Sequence, residues 1–213
     1  WITSRLASTV ATVSAAWEGY DATAGVRAVM DFAEELSNWY VRQSRARFWA
    51  PDREPDPAAV HTLHRCLVTV ARLIAPAAPF AADWLHRALA GRSVHLADFP
   101  APTPDAVDLE LERAMAGIRR LASLGRSARE AGNRRVRQPL ATIRVAVPRE
   151  VDNDRFRELL PLLGQEVNVQ RVEVVSSDTD LVRLKAKANF RSLGKRFGKR
   201  TPEIAALVGK LEA

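Results

Sequence analysis

The feature that most constrains this chain is a change in the period of its apolar residues. Up to about residue 131 they recur every three or four positions, the repeat of an amphipathic helix; after residue 140 they alternate, as in a strand. Ile2, Leu6, Val10, Val13 and Trp17 predict a helix over 1–18. Gly19-Tyr20-Asp21 breaks it, with Asp21 or Thr23 as the next N-cap. One continuous helix is expected over 22–49, with Val29, Phe32, Leu36 and Trp39 inward. Pro51, Pro55 and Pro57 mark a loop. A helix over 57–74 follows, with Val60, Leu63, Leu67, Val70 and Ile74 on its apolar face, then a short one carrying Phe80, Trp84, Leu85 and Leu89. Four helices with short connections make a bundle.

Gly91, Pro100, Pro102 and Pro104 place a linker over 91–105. A long helix over 105–131 is expected to turn Val107, Leu111, Met115, Ile118 and Leu121 inward and to stop at Gly132. Strands are then expected at 142–147, 167–175 and 181–187, with a helix near 152–164 between the first two. A terminal helix over 202–212 opens on Thr201-Pro202. The expected class is α+β: a helical bundle over 1–100, a linker and connecting helix over 101–135, and over 136–213 a small basic α/β module with a short mixed sheet.

Charge is placed unevenly along this framework. The net charge is +7, carried mostly by arginine. Residues 118–137 hold seven arginines against Glu130 alone, and 181–202 hold Arg183, Lys185, Lys187, Arg191, Lys195, Arg196, Lys199 and Arg200 with no acid. Clustered cations of this kind suit a polyanionic partner, and an acidic protein surface is the rival. Nothing in the chain is apolar for long enough to span a membrane. The one cysteine, Cys66, sits among Leu63, Leu67 and Val70 and reads as a small buried hydrophobe, consistent with a reducing, cytoplasmic compartment.

Catalytic chemistry is missing. His61, His64, His86 and His95 are scattered, with no acid or thiol spaced to complete a metal site. Asp108, Glu110 and Glu112 fall in the first turns of a helix, where acids complement the macrodipole. Gly194-Lys195-Arg196-Phe197-Gly198-Lys199 lacks the spacing of a phosphate loop.

The segment Ser37-Asn38-Trp39-Tyr40-Val41-Arg42-Gln43-Ser44-Arg45-Ala46-Arg47-Phe48-Trp49 is the most informative. On an α-helix Asn38, Arg42, Arg45 and Trp49 form one stripe, and guanidinium groups beside an aromatic face suit an RNA strand. The plain alternative is a solvated face paired with Glu34 or Glu35. Further candidate RNA contacts are Arg126 and Arg137 in the first basic cluster and Arg191, Lys195, Arg196 and Lys199 in the second.

The same segment closely resembles the anticodon-binding helix of isoleucyl-tRNA synthetases. Other segments resemble that family in the same order: Trp1–Leu6, Leu73–Phe80 (shared with the valyl and leucyl enzymes), Ser93–Pro100, Val136–Leu140, Glu166–Val169 and Asn189–Lys199. The resemblance covers essentially the whole chain. It implies a tRNA-binding, non-catalytic C-terminal piece of a ligase, cut from something longer, whose partners are the anticodon stem-loop of isoleucine tRNA and the catalytic and editing domains of the parent. It implies a monomer. ATP and Mg belong to the parent's catalytic domain, zinc (where the parent has it) to other parts of that chain, and no cofactor to these residues. A stand-alone RNA-binding adaptor, or a protein-docking module of a valyl- or leucyl-type enzyme, are the alternatives.

Overall fold

The computed structural model describes residues 1–49, 52, 54–147, 151–175 and 188–208, and at 191, 192, 195 and 199 the backbone only. The chain divides into two compact units, Trp1–Arg113 and Ala114–Ala213.

In the first unit α1 (Ile2–Glu18) packs against α2 (Ala22–Glu35). The Asp21 side chain accepts from the Ala24 N–H and caps α2. α4 (Pro57–Ile74) begins with Pro57 in its first turn, capped by Asp56 accepting from Ala58 N–H, and α5 (Pro79–Ala90) also opens on proline. Ile2, Leu6, Phe32, Leu36 and Cys66 form one buried cluster, and Val10, Val13, Val29 and Leu73 a second. Each large side chain buried in this way contributes about 1.5–3 kcal/mol. Burial pushes the Cys66 thiol up to about 11, so it is an inert core residue.

The expected apolar face of α4 is rotated, and α5 turns two of its aromatic residues outward. On α4 the fully buried residues are Ala59, Cys66, Ala71 and Leu73, whereas Val60 is 45% exposed and Leu63, Leu67 and Val70 sit at the edge of the core. Small side chains at 59 and 66 take the innermost positions, so the larger ones flank them. On α5 Ala82 and His86 are buried, while Phe80 and Trp84 are 90% and 74% exposed. Polar anchors set that orientation. His86 Nε2 accepts from Arg72 Nε at 3.3 Å and Nδ1 then donates to the Arg92 carbonyl at 2.8 Å. Asp83 accepts from Ser93 Oγ and from the Val94 N–H at 2.5 and 2.9 Å. These bonds close the turn Val94–Leu96 onto α5.

The expected single helix over 22–49 is also corrected. α2 passes into a π-helical segment, Leu36–Val41, and a short α3 (Arg45–Phe48) follows a break at Ser44. A continuous α period from Leu36 and Tyr40 would turn Gln43 and Arg47 toward the core. The widened turn advances the phase by about one residue. Ser44 (buried) and Phe48 (half-buried) face inward instead.

α6 (Leu109–Ala131) starts in the first unit and continues into the second. Its first turn carries a buried knot. Glu112 accepts from Ser4 Oγ at 2.5 Å, Ser8 Oγ at 2.8 Å and Arg5 at 3.0 Å, and Arg5 also reaches Glu35 at 2.9 Å. Burial alone would lower the Arg5 pKa, but hydrogen bonds to Glu35 and Glu112 outweigh it and raise it. Glu112 is therefore a structural carboxylate tying α6 to α1 through Arg5 and the two serines.

In the second unit β1 (Leu140–Ala146) and β2 (Val169–Val175) pair in parallel, with Leu140 opposite Val169 and Ile143 opposite Val172. Parallel pairing requires a crossover. Here α7 (Asp154–Glu158) and α8 (Leu160–Val167) provide it. One helix was expected here; Pro161, which cannot donate to Arg157, splits it at Leu159. Phe156, Leu163 and Val167 are fully buried. A Cβ on Gly125 would come within 2.9 Å of Val167 and 3.2 Å of Ile143, so glycine permits this close approach. α6 ends in a Schellman turn whose left-handed residue is Asn133 (φ 51°), not Gly132 as the sequence suggests. The Arg134 N–H returns to Arg129 O and the Asn133 N–H to Glu130 O. α9 (Phe190–Phe197) and α10 (Thr201–Val208) follow among the described residues. The third expected strand, 181–187, lies outside the described residues.

Candidate nucleic-acid interface

In the first unit, the segment after α2 is held from below. Tyr40 donates its hydroxyl hydrogen to the Ala59 carbonyl at 3.2 Å and meets the Phe48 ring edge-on, with centroids 6.2 Å apart. Trp39 is buried at 7% exposure. With the inner residues anchored, the outer ones are presented to solvent. Asn38, Arg42 and Arg45 are exposed, and Trp49, the residue that ends α3, is 73% exposed. Arg42 lies over the Trp39 ring at 5.7 Å from its centroid. Glu35, one of the two acids named as alternative partners of this face, bonds Arg5 at 2.9 Å. Arg47 is spent on Asp56 at 2.8 Å. The π turn removes the regular i, i+4, i+7, i+11 spacing, so the four candidates do not form the single α-helical stripe expected, although all four are exposed.

The candidates of the second unit differ among themselves. Arg126 is half-buried on α6 and ion-pairs with the buried Glu166 carboxylate at 3.2 Å. Arg137 is exposed in the loop between α6 and β1, together with Arg134 and Arg135. Arg196 is exposed on α9, with Phe190 and Phe197 exposed near its two ends. The side chains of Arg191, Lys195 and Lys199 lie outside the described residues.

Arg129 is the residue that sequence reading passed over. It is 5% exposed and its guanidinium donates to four backbone carbonyls: Val167, Asn168, Arg135 and Gln138, at 2.8, 2.8, 3.0 and 3.0 Å. The one signal for it in the sequence was its i, i+7 spacing from Ala122 on the buried face of α6.

Among the described residues no three His, Cys, Asp or Glu side chains converge on a point that suits a metal ion. His64 and His86 are committed to main-chain carbonyls. No helix of the described residues is long and apolar enough to cross a membrane.

Comparison with known proteins agrees with the reading of the sequence. Residues 1–145 match the family described as the anticodon-binding domain of tRNA ligase. The whole chain is 40% identical over 215 residues to the isoleucine–tRNA ligase of Deinococcus radiodurans and 42% identical over 219 residues to that of Thermobifida fusca. The enzyme of Chlamydia trachomatis serovar A is 38% identical over 216 residues, covering 99% of this chain. The chain spans about a fifth of the length of these relatives, 20%, 20% and 21% respectively.

Proposed function

Since the chain belongs to the anticodon-binding domain family of tRNA ligases, we propose that it is the tRNA-gripping C-terminal part of an isoleucine–tRNA ligase. Attachment of isoleucine to tRNA, which consumes ATP and uses Mg, belongs to the rest of the parent enzyme. This chain supplies affinity and discrimination for the anticodon stem-loop of isoleucine tRNA. That role implies a monomer acting in the cytoplasm, docked to the parent's catalytic and editing domains.

The observation that carries the reading is the group of exposed polar and aromatic residues, Asn38, Arg42, Arg45 and Trp49, raised on an anchored segment. Guanidinium groups pair with phosphates, and the open Trp49 ring offers a stacking face for a base. The exposed Arg137 and Arg196, and with them Arg191, Lys195 and Lys199, add electrostatic reach along the nucleic acid. Arg126 contributes less than its position in the basic cluster suggests, because Glu166 offsets its charge.

Titration of the chain with isoleucine tRNA and with an unrelated tRNA, over a range of salt, tests the proposal. Isoleucine tRNA is expected to bind more tightly, and for four to six contacted phosphates log K should fall with log salt at a slope of about −3 to −5. Equal affinity for every tRNA at moderate salt would favour a protein-docking module or bulk charge.

A further inference from the structure

We propose that Arg129 is a positioning residue that preorganises the loop Arg134–Arg137 as a surface for the phosphates of an RNA strand. This rests on the reading of the chain as an RNA-binding module. The loop leaves α6 through the Schellman turn at Asn133 and enters β1 at Leu140. Arg129, one turn back, reaches under it and binds both of its shoulders, the carbonyls of Arg135 and Gln138. Its other two bonds run to the Val167 and Asn168 carbonyls at the end of α8. Asn168 completes the clamp: its amide nitrogen donates to the Val136 carbonyl at 2.9 Å. The loop backbone is thus tied to the framework at three carbonyls, those of Arg135, Val136 and Gln138, while Arg134, Arg135 and Arg137 are exposed to solvent.

The chemistry of the clamp indicates what the loop is for. A guanidinium removed from water is costly and is normally met by a carboxylate. The four hydrogen bonds of Arg129 go instead to carbonyls, which fixes geometry without cancelling charge. The buried cation therefore adds to the three exposed ones above it, a repulsive arrangement that a polyanion relieves. A ribose–phosphate strand suits it better than an acidic protein, because three like charges on a fixed backbone suit a repeating charge and guanidinium forks match phosphate oxygens.

The test uses the full chain, an isoleucine tRNA transcript and salt from about 50 to 200 mM. Arg129→Lys keeps the charge but cannot bridge four carbonyls. It is expected to speed amide exchange in residues 134–138 and to lower affinity about tenfold. The same change in a background with Arg134, Arg135 and Arg137 all replaced by alanine should cost less than about twofold, because the residues act as one unit. Equal losses in the two backgrounds, or unchanged exchange in the loop, overturn the proposal. Should Arg129→Lys fail to fold, Asn168→Gly serves, since glycine accepts the φ of 51° and removes only the bond to Val136. It should loosen the loop and weaken tRNA binding; no change in either overturns the proposal. Displacement of the tRNA by polyglutamate more readily than by polyuridylate overturns it in favour of an acidic protein. Failure of the unmodified chain to bind tRNA at all is a separate outcome and removes the parent reading with it.

Discussion

The Arg42 guanidinium rests over the ring of Trp39, 5.7 Å from its centroid, so a surface cation is seated on a core side chain three residues before it. The two residues point to different environments and are nonetheless coupled. Trp39→Ala should cost roughly 3–5 kcal/mol of stability, because it empties a large buried site. It should also weaken tRNA binding per folded molecule, since Arg42 loses its seat. Urea melts combined with tRNA titration of the folded fraction separate these effects. Unaltered affinity of the folded fraction would mean the contact does not position Arg42.

Arg42→Ala and Arg45→Ala should barely move the melting temperature, with costs of about 0.5 kcal/mol as for most surface changes. Both should lower tRNA affinity, and each should reduce the salt slope by about 0.7–0.9. A stability loss without a binding loss would make them structural partners of other side chains.

Glu112 takes three hydrogen bonds at the start of α6. Glu112→Ala leaves Ser4, Ser8 and one arm of Arg5 without their acceptor, at about 3 kcal/mol. Glu112→Gln retains shape and one acceptor and should cost clearly less. Equal midpoints for the two variants in chemical denaturation would show that the bonds contribute little beyond packing.

Acid sensitivity is expected at Asp83. Arg87, with Ser93 and the Val94 N–H, holds its carboxyl well below the usual carboxylate range. A depressed folded pKa gives stability that is fully present above the unfolded value of about 3.9 and is lost as pH falls through the folded value. The difference in urea midpoint between the native chain and Asp83→Asn should therefore hold steady from neutral pH to about pH 5 and shrink below about pH 4. A constant difference down to low acid would assign it to shape, not charge.

The chain by itself should show no isoleucine-dependent ATP–pyrophosphate exchange and no aminoacylation, since the sequence has no nucleophile, phosphate loop or metal-ligand spacing. Measurable exchange by a preparation free of intact synthetase would overturn the assignment of this chain to the tRNA-binding part.

The local sequence determined a great deal. Period and capping settle within a few residues of one another, so α1, a cap at Asp21 or Thr23, the Pro57 start of α4 and strands at 142–147 and 167–175 could be read directly, each strand within two residues of its observed bounds. So could the inward residues Phe32, Leu36 and Trp39. The exposure of Asn38, Arg42, Arg45 and Trp49 followed from the same helical spacing, even though that spacing does not persist through the π turn. Tertiary structure alone decided which distant partner each of several buried or half-buried cations meets. Arg126 meets Glu166 forty positions away, Arg5 meets Glu112 across 107, and Arg129 reaches carbonyls 38 and 39 positions on. It also turned Phe80 and Trp84 outward, because His86 and Asp83 had hydrogen bonds to make that a hydrophobic pattern does not register. Apolar burial repeats along the chain and leaves a periodic trace; a long-range hydrogen bond depends on where two distant segments meet, and leaves none.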